Sequence, residues 1–164
     1  MGRKHALAAG LVTAALVGLA LVGIVRATPG SGTISSVIGP PATFDGFKVK
    51  RKGINDWEVE IEAKRGVAVA TQTITFPPGS YSGWHSHPGP VFINVKEGTV
   101  TFYEHDCSVR VVSAGEGFLD VGDHPHFARN EGSVQAVNVV TYFIPPHTTT
   151  LRIDEPQPLT CAIP

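Results

Sequence analysis

Apolar and polar positions alternate along much of the chain after residue 44, in short runs separated by turn-forming residues. The stretch "WEVEIEA" (57–63) alternates apolar with acidic side chains, which is typical of a strand with one solvated face. The stretch "VAVATQTITF" (67–76) is rich in β-branched residues and favours a buried strand. No ten-residue stretch after position 44 has a helical period of apolar residues. The pattern therefore predicts an all-β domain.

Further strands are predicted where apolar or β-branched runs are bounded by Gly, Pro, Asp or Asn. They are "VFINV" (91–95), "TVTFY" (99–103), "VRVVS" (109–113), "GFLDV" (117–121), "VQAVNVVTYFI" (134–144) and "TTTLRI" (148–153). Many short strands at this spacing indicate a closed barrel or a sandwich. The aromatic residues expected in its core are Phe76, Phe92, Phe102, Phe118 and Tyr142.

The first 27 residues have a different pattern and are expected to lie outside this domain. Basic residues precede an uncharged apolar run, residues 6–25, and a Pro/Gly-rich stretch follows it. This order is typical of a secretory signal peptide, with cleavage after Ala27. The run is also long enough to span a bilayer as an uncleaved membrane anchor. In either case we expect residues 44–164 to form one extracytoplasmic domain. Residues 28–43, which are rich in Gly, Pro, Ser and Thr, are expected to form a flexible linker between the N-terminal segment and this domain.

Charge and cysteine content restrict the partners and the compartment. The formal net charge is −1, from 13 basic and 14 acidic residues, and no basic cluster occurs beyond the N-terminus. Nothing therefore favours nucleic acid as a partner, and a membrane is a partner only if residues 6–25 stay attached. Cys107 and Cys161 are the two cysteines. In an exported protein such a pair indicates a disulfide, the alternative being two unpaired buried thiols.

Four of the seven histidines occur in two close pairs, His85 with His87 and His124 with His126. Residues i and i+2 of a strand point to the same face, so His85 and His87 are expected to project together while Trp84 faces the other way. Neutral imidazole is a common ligand for Zn, Fe, Ni and Cu. The pairs are therefore candidate metal ligands, although a His-x-His pair by itself also occurs on protein surfaces.

The spacing around these histidines resembles two motifs of the cupin superfamily. The first motif, G-x5-H-x-H-x3-E-x6-G, is matched by Gly79, His85, His87 and Gly98. The second, G-x5-P-x-G-x2-H-x3-N, is matched by Gly115, His126 and Asn130, with Val121 and Asp123 at its proline and glycine positions. The resemblance covers residues 66–145. It implies a double-stranded β-helix, or jelly roll, in which a metal ion is held by His85, His87, the glutamate of the first motif and His126.

This chain departs from the first motif at one position, because Val91 stands where the glutamate is expected. One interpretation is a site with three histidine ligands for Fe, Zn, Ni or Cu, whose uncompensated charge strengthens the attraction for an anion. A second adds His124 as a fourth ligand, but we favour a place for His124 at the barrel rim. A third is a metal-free barrel that binds a small molecule through its histidines.

Three classes of function follow from these interpretations. Three-histidine sites occur among the cupins that resemble thiol dioxygenases and diketone-cleaving enzymes, so the resemblance implies a dioxygenase-like oxidoreductase acting on a small anionic molecule. The alternatives are a non-catalytic extracytoplasmic module that binds a small molecule, and a metal-assisted isomerase or lyase. Cupins often pair through strand edges, which makes a homodimer an expectation here.

Overall fold

A computed structural model describes residues 27–161, and within this range every regular element is a β-strand. The expected signal peptide or anchor lies almost entirely outside the described residues. The strands are β1 (Ile34–Val37), β2 (Ala42–Phe44), β3 (Phe47–Lys52), β4 (Glu58–Ala63), β5 (Val67–Phe76), β6 (His85–Ser86), β7 (Val91–Glu97), β8 (Thr99–Glu104), β9 (Val109–Ser113), β10 (Gly117–Asp120), β11 (His126–Arg129), β12 (Ala136–Ile144) and β13 (Ile153–Asp154). The described chain has no helix of the length and apolar character that a membrane span requires.

Two antiparallel sheets form the body of the domain. The larger has six strands in the order β1-β5-β12-β7-β10, with β2 also paired to β5. The smaller has five strands in the order β13-β6-β11-β8-β9. Both sheets contribute buried residues to a single core, for example Ile93 and Val140 from the larger sheet and Val100 and Phe102 from the smaller. The prediction of an all-β domain is therefore confirmed.

Alternation along β7 determines which of its side chains enter the core. Val91, Ile93 and Val95 are buried, whereas Phe92 is 46% exposed. The prediction that Phe92 belongs to the core is wrong, because successive strand residues point to opposite faces and Val91 takes the inward position. Phe92 packs instead on the outer face of the sheet against Phe143, with ring centroids 5.4 Å apart.

The other four aromatic residues expected in the core lie there or against it. Phe76, Phe102 and Tyr142 are each at most 2% exposed. Phe118 is partly buried and packs against the core, where its ring meets that of Phe102 edge-on.

Two further expectations about the ends of the domain need correction. Residues 28–43, expected to be a flexible linker, contain β1 and the first two residues of β2, which are ordered because both strands pair with β5. The strand predicted at 148–153 is also wrong for most of its length, since only Ile153 of that stretch belongs to β13. Residues before it follow an irregular path along the barrel, and one of their carbonyl groups contacts a histidine ring rather than a neighbouring strand.

The predicted disulfide is present. Cys107, in the turn between β8 and β9, is bonded to Cys161 near the C-terminus. Cys161 is buried in a small second cluster with Trp84 and Phe127, on the side of the smaller sheet that faces away from the main core. The bond therefore fastens the C-terminal segment to the outer side of this sheet.

Candidate metal centre

Three histidines meet inside the domain, at the end of the smaller sheet. His85 in β6 and His126 in β11 are directly paired across neighbouring antiparallel strands, and His87 follows β6. The three side chains are buried, and their ring centroids are 4.3–5.1 Å apart. One ring nitrogen from each lies within 4.8 Å of the others, a spacing at which all three can bind one metal ion.

The expectation that His85 and His87 project together and Trp84 projects away is confirmed. Trp84 is fully buried on the opposite side of the strand, where its ring packs 5.8 Å from that of Phe127. Two residues of separation place the imidazoles on one face because the backbone is extended between them. Trp84 supports the strand from behind and does not line the histidine site.

Backbone carbonyl groups hold two of the imidazole rings in one tautomer. Nδ1 of His85 lies 2.9 Å from the carbonyl oxygen of Gly83, and Nδ1 of His87 lies 2.6 Å from that of Leu151. A carbonyl oxygen can only accept a hydrogen bond, so each Nδ1 must have the proton. The lone pair of each ring is therefore on Nε2, the nitrogen that remains available as a ligand.

At the third histidine, His126, the partner of Nδ1 is a carboxylate instead of a backbone carbonyl group. Oδ2 of Asp120 lies 2.8 Å from Nδ1 of His126, and both side chains are largely buried. Oδ1 of the same carboxylate accepts a hydrogen bond of 2.7 Å from the backbone N–H of Gly122. Burial raises the pKa of Asp120, but the contact with His126 outweighs it and leaves this pKa below its usual value. The carboxylate is therefore ionised at neutral pH.

His85 and His87 are neutral at physiological pH in the metal-free protein. Burial, followed by the nearby His126, lowers the pKa of His85 well below its usual value and that of His87 to about 4. The positive charge of Arg152 acts in the same direction on both rings. Metal binding requires unprotonated imidazole, so the protein keeps these rings in the state that a metal ion needs.

Val91 is fully buried in the core, as an aliphatic side chain with no donor atom should be. Asp120 was not among the residues predicted for the site, yet the sequence contains a signal for it. Asp120 stands two residues after Phe118 in a predicted strand, so it shares the inward face of a residue expected in the core. A charged side chain on such a face normally has a buried partner.

A cavity of about 370 Å³ opens beside the three histidines. Part of its wall is apolar, with Ile74, Phe76, Ile93, Phe102 and Val140. Its other polar lining includes Gln72, Asn138, Tyr142 and Arg152. A concave pocket that combines an apolar wall with convergent polar groups is typical of a site for a small molecule.

Two polar groups in this lining have defined partners. Nε2 of Gln72 donates to the hydroxyl oxygen of Tyr142, and burial raises the pKa of Tyr142 to about 12. Nε of Arg152 donates to Oδ1 of Asp154 at 2.5 Å, which leaves the rest of the guanidinium for other contacts. Tyr142 was expected in the core, but Gln72 and Arg152 were not predicted for the site, because Arg152 lies within a stretch predicted as a regular strand and nothing in the sequence relates it to the histidines.

Two other residues considered in the sequence, His124 and Asn130, lie outside this cluster of histidines. The side chain of His124 is 57% exposed, and its ring stacks on that of His105 with centroids 4.2 Å apart, at the rim where we expected it. The buried amide of Asn130 donates to the carbonyl oxygens of Phe76 and Val134, 2.7 Å away in each case. Asn130 thus fixes a turn.

A family model and several solved structures are similar to part of this chain. Residues 72–142 match the family model Cupin_2, described as a cupin domain. No curated protein sequence matches the chain. Similar solved structures include an oxalate oxidase in complex with the substrate analogue glycolate, which is 29% identical over 46% of this chain and 41% of that chain, with a TM-score of 0.42.

Two further solved structures are similar over about half of this chain. The DMSP lyase DddQ from Ruegeria pomeroyi DSS-3 is 20% identical over 52% of this chain and 42% of that chain, with a TM-score of 0.46. The Cupin_2 domain of an XRE family transcriptional regulator from Enterobacter cloacae is 22% identical over 48% of this chain and 83% of that chain, with a TM-score of 0.42. The matches thus span well under half the length of the oxidase and the lyase.

Proposed function

Because the chain belongs to the cupin superfamily through its domain at residues 72–142, we propose that it binds one divalent metal ion through Nε2 of His85, His87 and His126. The observation that supports this best is the shared orientation of the three rings. Nδ1 of His85 and of His87 faces a backbone carbonyl oxygen and Nδ1 of His126 faces the carboxylate of Asp120, so Nε2 is the nitrogen that each ring has left for the ion. Imidazole nitrogens suit Fe, Zn, Ni or Cu, so the donor set fits a metal of this class.

We propose further that the domain is a dioxygenase-like oxidoreductase acting on a small anionic molecule. The metal, when bound, supplies Lewis-acid and redox chemistry at a position that three protein ligands leave open. Arg152 and Asp154 both line the cavity, and although Nε of Arg152 is paired with Asp154, the other guanidinium nitrogens are available to an anionic substrate. The hydroxyl of Tyr142 accepts from Gln72, so its own proton is free to be donated to a substrate oxygen.

Export of the domain is a further part of the proposal, and the disulfide between Cys107 and Cys161 supports it because such bonds form in oxidising compartments. The intact mass of the protein recovered from its native compartment tests this. A mass that corresponds to cleavage after Ala27, with the disulfide oxidised, is expected for the signal peptide. A mass that includes residues 1–27 would instead indicate an anchor.

Elemental analysis of protein purified without added metal tests the site itself. We expect about one equivalent of a transition metal in the wild type, and less than about a tenth of that in His126→Ala, which removes one of three ligands. His124→Ala is the matched control, because this exposed histidine lies two residues away and is expected to leave the metal content unchanged. Equal metal in wild type and His126→Ala would overturn the ligand assignment.

Oxygen consumption by the metal-loaded protein tests the reaction. Thiols, diketones and small carboxylates form the panel, and Arg152→Gln is expected to raise KM for the anionic members more than for neutral ones. If zinc is the native metal and no substrate leads to oxygen uptake, the oxidoreductase proposal is wrong. A binding module, or an isomerase or lyase, would then be the function to test.

A further inference from the structure

We propose that Asp120 supplies the negative charge that the glutamate of the first cupin motif would have supplied at position 91. In this proposal Asp120 is a positioning residue, which acts on the metal centre through His126 and is not itself a ligand. The inference rests on the proposed metal site. It adds a residue that the motif spacing does not contain, and it explains how the site retains an anionic group although Val91 has no donor atom.

The pairing of strands β7 and β10 brings the two positions together. Val91 is the direct antiparallel partner of Asp120, and side chains of directly opposed residues lie on the same face of a sheet, with Cβ atoms about 5 Å apart. Val91 is fully buried, and the Asp120 side chain is 11% exposed. The carboxylate that the motif expects on one strand is therefore present at the adjacent position on the next strand.

Both oxygens of this carboxylate are held in place. Oδ2 faces Nδ1 of His126 at 2.8 Å, and Oδ1 accepts from the N–H of Gly122 at 2.7 Å. The carbonyl oxygen of Gly122 in turn accepts from the backbone N–H of His87 at 2.9 Å. Asp120 is therefore connected to two of the three histidines, to one through its side chain and to the other through the turn that it stabilises.

His126 differs from the other two histidines in the charge of its partner. His85 and His87 face neutral carbonyl groups, whereas His126 faces an ionised carboxylate. A carboxylate on the far nitrogen fixes the orientation of an imidazole and makes its other nitrogen a stronger donor. Three neutral imidazoles together with Asp120 have the same total charge, −1, as three imidazoles with a glutamate ligand.

Titration of chelator-treated protein with Co²⁺ alone, followed by visible absorption, tests this inference. We expect Asp120→Asn to bind Co²⁺ about 10- to 100-fold more weakly than wild type, the usual loss when such an outer partner is removed. Asp123→Asn is the matched control, because this side chain is three residues away, 67% exposed and paired only with His124 among the contacts described, and it is expected to have no effect.

A second variant separates charge from local structure. In Asp120→Asn with Val91→Glu, a carboxylate returns at the position of the motif, and we expect Co²⁺ affinity to recover to within a few-fold of wild type. A purely structural role of Asp120 in its turn would not be rescued by a carboxylate on another strand. Thermal unfolding of each metal-free variant shows whether it is folded under the titration conditions.

The outcomes distinguish this inference from the proposed function. Wild-type protein that fails to bind Co²⁺ contradicts the metal site as a whole. Wild-type binding with an unchanged Asp120→Asn, or a folded double variant that stays as weak as Asp120→Asn, overturns the role of Asp120 alone. If the variants do not fold, ¹⁵N NMR of the histidine rings in metal-free wild type decides, because a proton on Nε2 rather than Nδ1 of His126 would exclude the contact proposed.

Discussion

The hairpin of β3 and β4 and the strands around the histidines follow the same rule of alternation, yet their side chains have different environments. In the hairpin, Lys48, Lys50 and Lys52 face Glu58, Glu60 and Glu62 across the strands. On the other face Val49 and Ile61 are paired and about half exposed, since no described residue forms a second layer over them. In the barrel, the same period places Val91, Ile93 and Val95 in a closed core.

The comparison shows that alternation determines which way a side chain points, whereas a second sheet determines whether it is buried. Hydrophobic stabilisation is therefore concentrated in the barrel, at about 25 cal/mol for each Å² of apolar surface removed from water. The hairpin has cross-strand ion pairs such as Lys50 to Glu58 at 2.7 Å, and exposed pairs contribute little. We expect the barrel to unfold cooperatively and the hairpin to open locally.

The chain's two tryptophans provide the strongest test of this difference, because one lies in each region. Trp84 is fully buried behind the histidines, and Trp57, in the turn immediately before the hairpin's second strand, is 56% exposed. Trp84→Ala should lower the free energy of unfolding by about 3–5 kcal/mol, through lost burial and the cavity that remains. Trp57→Ala should lower it by about 0.5 kcal/mol or less. Urea denaturation followed by circular dichroism measures both, and equal losses would show that the hairpin belongs to the cooperative unit.

Removal of the disulfide should have a comparable effect on the barrel. The cross-link joins residues 54 positions apart, and in the chain-entropy relation a loop of this length stabilises by about 4 kcal/mol. The variant Cys107→Ser with Cys161→Ser should lose about this amount in urea denaturation. Reductant should destabilise the wild type but leave the variant unchanged, which serves as the control. A variant as stable as wild type would mean that packing around Trp84 alone holds the C-terminal segment.

Acid should destabilise the metal-free barrel through its buried histidines. The pKa of His87 is about 4 in the native protein and about 6.5 when unfolded, so the unfolded state binds more protons between these values. Stability is therefore fully present above pH 6.5 and falls by about 3 kcal/mol as the pH drops to 4. Urea denaturation in chelator at a series of pH values measures this slope.

His87→Ala should reduce this slope, and the exposed His124→Ala should leave it as in wild type. A wild-type stability that stays constant between pH 6.5 and 4 would contradict the neutral, buried state of His87.

Much of the site could be predicted from the sequence, because its parts depend on local geometry. The two-residue spacing of His85 and His87 puts both rings on one face of an extended strand. The spacing of the second motif indicated that His126 joins them, although it lies too far along the chain for strand periodicity to show this. The disulfide followed from cysteine number and the expected compartment.

The remainder depends on register, which a single sequence does not specify. Asp120 and His126 lie on strands of different sheets, β10 paired with β7 and β11 paired with β6, and this pairing makes both side chains point inward. Likewise, β6 has two residues, which is too short for a periodic pattern to show. Phe92 was misassigned because an apolar residue in a strand can lie on either face, and only the partner sheet decides which face is the core.

The smallest effect is expected in the hairpin, where Glu60 lies 2.7 Å from Lys48 and 4.0 Å from Lys50. Glu60→Gln removes the central charge of this ladder, but the global free energy of unfolding should stay within measurement error because these side chains are solvated. Amide hydrogen exchange should become faster in β3 and β4 and remain unchanged in β7 and β12. Wild type in 1 M NaCl should show the same local change, since salt screens exposed pairs. Faster exchange in β12 as well would mean that the ion pairs stabilise the barrel, and the distinction between the two regions would fail.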